Sequence, residues 1–172
     1  FENFITVVTT GAYLAKLTTS IGISDGLTAI LATITSLSSV FQIISISLAH
    51  RNPIKPIIIP IQVLSHLMLA GLYLIPLIGF NSGAVAIFCI ITILARACSS
   101  ITSPLKVNWF MSLVDDNKRG RFTASKEMVS LIGGVVFSFA MGLVIDHFEA
   151  VNNIKGAFIV CGLSVFGLMV LH

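Results

Sequence analysis

Apolar and polar positions along the chain fall into long blocks, not into an alternation. Residues 56–95 contain no Lys, Arg, Asp or Glu. A helix needs about 20 mostly apolar residues to cross a hydrocarbon core of about 30 Å, so this block is long enough for two crossings. Its middle, Gly79-Phe80-Asn81-Ser82-Gly83, is turn chemistry. The pattern predicts a helical hairpin, 57–78 and 84–103, with a short loop on one side of a membrane. The same logic predicts four further helices. These are 4–20, short and interrupted by Lys16; 27–49, uncharged; 122–145, with Lys126 and Glu127 in its first turns; and 156–172, truncated where the sequence stops. The expected fold is an all-α membrane protein, a single six-transmembrane-helix bundle over residues 1–172, because a barrel would need short alternating strands. The chain starts without Met and ends inside an apolar run, so it reads as a fragment of something longer.

Composition agrees with that class. The chain is 56% hydrophobic and 10% charged, against about 25% charged for a soluble domain. The net charge of +3 matters less than where the charges sit. Arg51, Lys55, Lys106, Lys118, Arg119, Arg121 and Lys126 collect on one side of the predicted bundle. The other side has Lys155 beside Asp25, Asp146 and Glu149. Basic loops stay in the cytoplasm, so both ends of the chain are expected there, in a bacterial plasma (inner) membrane. Trp109 suits an interfacial anchor, and 106–114 either lies along the inner surface or extends the fourth span. Cys89, Cys98 and Cys161 all fall in apolar runs with no metal-ligand spacing, and no cleavable signal pattern is present.

Arg96 is the sharpest chemical signal. It lies about twelve residues into the fourth span, about 18 Å deep at 1.5 Å per residue, beyond easy reach of either surface. A guanidinium at that depth costs at least about 2.5 kcal/mol, so it needs compensation. Two readings stand side by side: a site for an anionic substrate or for coupling to proton movement, and a structural pair with a polar group on a neighbouring helix. No Asp or Glu lies at that depth. Its partner is therefore a neutral group such as Gln42 or a serine, a residue outside these six spans, or a bound anion. This points Arg96 toward a cavity.

Lys16, one turn from the outer end of the first span, either snorkels or joins Tyr13 in a cavity. His66, mid-way along the third span, is either a neutral buried imidazole or a titrating one. Thr28, Thr35, Ser39 and Gln42 share one face of the second span, as close-packing hydroxyls or as a cavity wall. Gly133-Gly134 and Gly142 let helices approach or bend. No phosphate loop, zinc pair or nucleophile elbow is present, so no enzyme, cofactor or metal is implied. Lys118-Arg119-Gly120-Arg121 needs only anionic lipid, not nucleic acid.

This arrangement resembles the amino-terminal half of a major facilitator superfamily transporter. At the level of topology the likeness covers nearly the whole chain. Ile93-Leu94-Ala95-Arg96, followed by Ser100 and Pro104, resembles that family's arginine, small residue and proline in the fourth span. Arg119-Gly120-Arg121 is similar to its Arg-Gly before the fifth, and Ile21-Gly22-Ile23-Ser24 to its first outer loop. The loop after the second span keeps Arg51 and Lys55 of the family signature, with Ile46, His50 and Pro53 replacing its Gly, Asp and second Gly. Phe137-Ser138 stand where antiporters carry Gly-Pro, which directs the reading to the superfamily in general.

The resemblance implies alternating access between two six-helix halves, with the first, second, fourth and fifth helices lining the cavity. On that basis the expectation is a secondary transporter for an unidentified small solute, with a coupling ion where transport is coupled. Arg96, Gln42, Tyr13, Lys16 and His66 are the substrate or coupling candidates. Arg51, Lys55, Arg119, Gly120 and Arg121 are the loop and gating candidates. The partners are a lipid bilayer and a second six-helix half. The alternative is a polytopic membrane protein without transport, such as an assembly factor or sensor.

Overall fold

The computed structural model describes residues 2–20, 22–49, 55–78, 82–151 and 153–171. The described residues are almost entirely helical. The helices are α1 (Glu2–Thr9), α2 (Gly11–Ser20), α3 (Asp25–Leu37), α4 (Gln42–Ala49), α5 (Lys55–Leu72), α6 (Ile75–Ile78), α7 (Ser82–Ser112), α8 (Arg119–Ala150) and α9 (Ile154–Leu171). Four stretches are long and apolar enough to cross a bilayer: Asp25–Leu48, Lys55–Leu77, Gly83–Ser112 and Asp116–Ala150. Lys155–Leu171 is a shorter apolar helix.

Each predicted span holds a helix, but three carry interruptions that the hydrophobic pattern does not announce. The 4–20 block is two helices, α1 and α2, parted at Thr10 by Gly11 in the left-handed region (φ 57°). The 27–49 block has a 3₁₀ turn, Ser38–Phe41, between α3 and α4. There Ser38 Oγ meets Ser100 Oγ of α7 at 2.9 Å. The 57–78 block ends as α5 at Leu72, tightens through Tyr73 N–H to Ala70 O (3.2 Å) and Leu74 N–H to Gly71 O (3.0 Å), and resumes as α6. Pro76 explains that stop, because its ring would crowd the Leu72 carbonyl and it has no N–H to offer.

Two helices run longer than the pattern suggests. The fourth span was expected over 84–103, with 106–114 either along the inner surface or extending it; α7 passes through Pro104 to Ser112, so that segment extends the span. Proline forfeits one backbone bond and is tolerated where neighbours hold the helix. Here Leu105 and Lys106 beyond it are buried. The fifth span extends at both ends, from Arg119 to Ala150.

The core lies where α1–α2, α5, α7 and α9 meet. Val8, Phe88 and Val165 have no exposed surface, and Leu17, Leu72, Tyr73, Phe158 and Cys161 are nearly as buried. α5 packs between α7 and α9, α1 against α8 and α9, and α3–α4 against α7. Glycines set two of these approaches. A Cβ on Gly133 would stand 2.8 Å from the Phe4 ring, and one on Gly162 would stand 3.1 Å from Tyr73 Cβ.

The outer faces are strongly apolar. Val129, Ile132, Val136 and Phe139 of α8 are exposed, as are Ile30, Val40, Ile43 and Ile46 along α3–α4. In water such faces would be aggregation surfaces; facing lipid or other apolar helices they are in their proper solvent.

Candidate functional site at the break in the first helix

An α-helix leaves its last four carbonyls without intrahelical partners. In water these are hydrated, but at membrane depth they need protein donors. α1 ends at Thr9, and its last two carbonyls are met by two side chains, one from the turn after α5 and one from α7. The Tyr73 hydroxyl, at the end of α5, donates to Val8 O. Arg96 Nη2, from α7, donates to Thr9 O at 2.6 Å and contacts Thr9 Oγ1 at 3.0 Å. The Thr9 hydroxyl in turn donates to Ile5 O at 2.7 Å, which leaves its oxygen lone pairs toward Arg96.

The neighbourhood holds Arg96 in place. Ala95 is fully buried, and Ser65 Oγ of α5 donates to its carbonyl at 2.9 Å. Small residues and hydroxyls thus bring α5 against α7. Arg96 itself is 7% exposed, and its Nε has no partner among the described residues. Two charge-assisted hydrogen bonds contribute about 1.5–3 kcal/mol each. That is comparable with the about 2.5–3.5 kcal/mol that insertion scales assign to an arginine at the helix centre. Among the described residues, Arg96 is thus accommodated by oxygen dipoles.

No acid neutralises it. Among the described residues Glu2 pairs with Lys106, Asp115 with Lys118, Asp116 with Arg119, Glu127 with Lys126 and Glu149 with Lys16. The sequence has seven acidic residues, and the other two, Asp25 and Asp146, are exposed and make no ion pair within this described set. The expectation that Arg96 opens into a cavity differs from what is found: it turns inward onto the backbone of α1.

The remaining candidates separate into three places. Tyr13 and Lys16 bind α2 to α8: the Tyr13 hydroxyl donates to Ser138 O at 2.6 Å, and Lys16 forms an ion pair with Glu149. His66 belongs to a buried chain between α5 and α7. Thr102 Oγ1 donates to Gln62 Oε1 (2.6 Å), and Gln62 Nε2 lies 2.8 Å from His66 Nε2. With the amide placed this way, His66 Nε2 accepts, as a neutral imidazole can. Gln42 is exposed on the outside of the bundle, its carbonyl accepting from Ser45 Oγ at 2.5 Å, so it does not join Arg96.

The loop candidates lie elsewhere. Lys55 sits over the Trp109 ring at 5.6 Å. Arg119 closes the end of α7, with Nε donating to Met111 O (3.0 Å) and Val114 O (3.2 Å) while its other arm meets Asp116 at 2.8 Å. Gly120 has open space around it and Arg121 is exposed. Arg51 lies outside the described residues.

Several members of this constellation have no strong sequence signal. Thr9 and Tyr73 look like ordinary span residues, and only Gly11, a glycine mid-block after two threonines, hints at a break. Lys106 reads as one of the basic residues on the cytoplasmic side, with no sign of burial or of its partner. In the structure it is 6% exposed and its ammonium stands 2.5 Å from Glu2 Oε1 at the start of α1. These contacts also set directions. Residues 3, 13 and 16 meet 130, 138 and 149 in rising order, so the first helix pair runs parallel to α8. Glu2–Lys106 and Thr9–Arg96 run it antiparallel to α7. Between Tyr13, Tyr73, Phe158 and Cys161 there is a cavity of about 10 Å³, no larger than about one water. Comparison with protein-family models, with curated proteins and with solved structures gave no match to this chain.

Proposed function

We propose that this chain is one half of a secondary active transporter of the major facilitator type, moving a small solute by alternating access. The observation that carries the reading is the broken first helix. Its carbonyl end is met by a buried arginine that no acid neutralises among the described residues. Discontinuous helices with unwound carbonyls at mid-membrane are how many secondary transporters build their sites. The parallel and antiparallel directions of the first, fourth and fifth helical segments agree with successive crossings. The exposed faces of α3–α4 and α8 supply surface for a second six-helix half. In this reading the basic loop residues are cytoplasmic, in a bacterial inner membrane, and both ends of the chain are on that side.

The test is uptake into vesicles of a panel of small solutes by the longest natural chain carrying this sequence. Arg96→Ala is expected to abolish uptake in sodium buffer while the protein still elutes as a folded species. Normal uptake by that variant sinks the transport role of Arg96. No uptake of any solute by the unaltered protein favours the second reading, a polytopic membrane protein that does not transport. That reading draws on the cavity between Tyr13 and Phe158, which is far too small for a solute.

A further inference from the structure

The carbonyl end of α1 gathers oxygen, not nitrogen. Thr9 O and Thr9 Oγ1 lie 2.6 and 3.0 Å from one guanidinium nitrogen. Val8 O is close by along the same helix end, capped by the Tyr73 hydroxyl. A helix C-terminus carries a partial negative charge, and unwound carbonyls at half-helix ends are where transporters commonly hold sodium or protons. Backbone carbonyls and a threonine hydroxyl are hard, neutral oxygen donors, suited to a monovalent cation. What fills this cluster is instead a positive charge attached to the protein, one that no acid neutralises among the described residues and whose Nε is unpartnered there.

We propose that Arg96 is a tethered cation: its guanidinium stands in a monovalent-cation site built from the carbonyl end of the broken first helix. The charge of Arg96 does for α1 what a bound sodium or potassium ion would do. The protein therefore needs no free ion to hold the break, and removing the charge creates a site for one. The hydrogen bonds from Tyr73 and the hydroxyl of Thr9 fix the oxygen positions independently of Arg96, so the cluster persists when the guanidinium is gone.

The experiment is thermal unfolding of the full chain in detergent, in sodium, potassium or choline chloride at equal concentration. The unaltered protein is expected to melt at the same temperature in all three salts. Arg96→Gln, which keeps amide donors but loses the charge, is expected to melt lower in choline and to recover saturably in sodium or potassium. At ten times the dissociation constant the folding equilibrium shifts about 11-fold, a rise of about 3–6 °C for a chain of this size. Arg96→Lys should remain indifferent to the cation, and adding Thr9→Val to Arg96→Gln should abolish the recovery. A variant that can be purified in sodium or potassium but not in choline supports the proposal. An Arg96→Gln protein as stable as the original in choline, unresponsive to all cations, or unable to fold in any of the three salts overturns it. So does an unaltered protein that responds to sodium as strongly as the variant.

Discussion

Replacing Gly11 by alanine isolates the energetics of the broken helix. At φ 57° the residue is in the left-handed region, and no heavy atom lies within 4 Å of where its Cβ would be. Packing therefore contributes nothing to the cost, and the whole effect is backbone strain. A left-handed conformation costs a non-glycine L-residue about 1–2 kcal/mol. The variant cannot relieve the strain by straightening the helix without loss. Straightening would let backbone amides recapture the Val8 and Thr9 carbonyls and leave the Tyr73 hydroxyl and the Arg96 guanidinium without partners. For a chain of this length about 1 kcal/mol corresponds to about 2–4 °C, so Gly11→Ala should lower Tm by about 2–8 °C. Asparagine tolerates the left-handed region better, and Gly11→Asn should lose less.

Gly167 is the control. It also has open space at its Cβ, but it lies within α9 with no left-handed φ. Glycine inside a helix is destabilising by about 0.5–1 kcal/mol relative to alanine, so Gly167→Ala should raise Tm by about 1–4 °C. The assay is thermal unfolding in detergent followed by circular dichroism. A Gly11→Ala protein as stable as the original, or shifted in the same direction as Gly167→Ala, would refute the left-handed break.

Three further outcomes follow from the packing. Tyr73→Phe leaves the buried Val8 carbonyl without its donor and should cost about 1–3 kcal/mol, read as a lowered unfolding midpoint with unchanged helix content. Gly133→Ala places a methyl 2.8 Å from the Phe4 ring and should destabilise by about 1–3 kcal/mol; Phe4→Leu in the same protein should restore most of the loss, and a Gly133→Ala that costs nothing refutes the contact. Glu2→Gln leaves the buried Lys106 ammonium unpaired, so it should destabilise more than Glu2→Gln with Lys106→Met together. Additive effects in that cycle would show that the two residues do not meet.

The class of the molecule was legible in the amino-acid sequence. An uncharged run over residues 56–95 calls for helices long and apolar enough to cross a membrane, and Lys55–Leu77 and Gly83–Ser112 are such helices; length and the absence of charge are local properties. The place of Arg96 well inside a long apolar helix was legible for the same reason, since position in an uninterrupted apolar run converts into rise along the helix at 1.5 Å per residue. So was the absence of any Asp or Glu between residues 56 and 114.

What Arg96 does there belonged to the tertiary structure. Hydropathy averages over a window, and a single glycine at position 11 leaves the average unchanged while it frees the carbonyls of Val8 and Thr9. Those carbonyls exist in every residue of every sequence, so no side-chain pattern marks the ones that will lack a partner. Only the tertiary arrangement, with the side chains of Tyr73 and Arg96 reaching across to α1, brings donors to them. The sequence left residues 106–114 either along the inner surface or extending the fourth span, and the structure takes the second for residues up to Ser112. Pro104 reads locally as a helix end, whereas burial of Leu105 and the pairing of Lys106 with Glu2, a hundred residues away, keep the helix going. Sequence distance hides such partners, and only the fold decides which polar group a buried charge will meet.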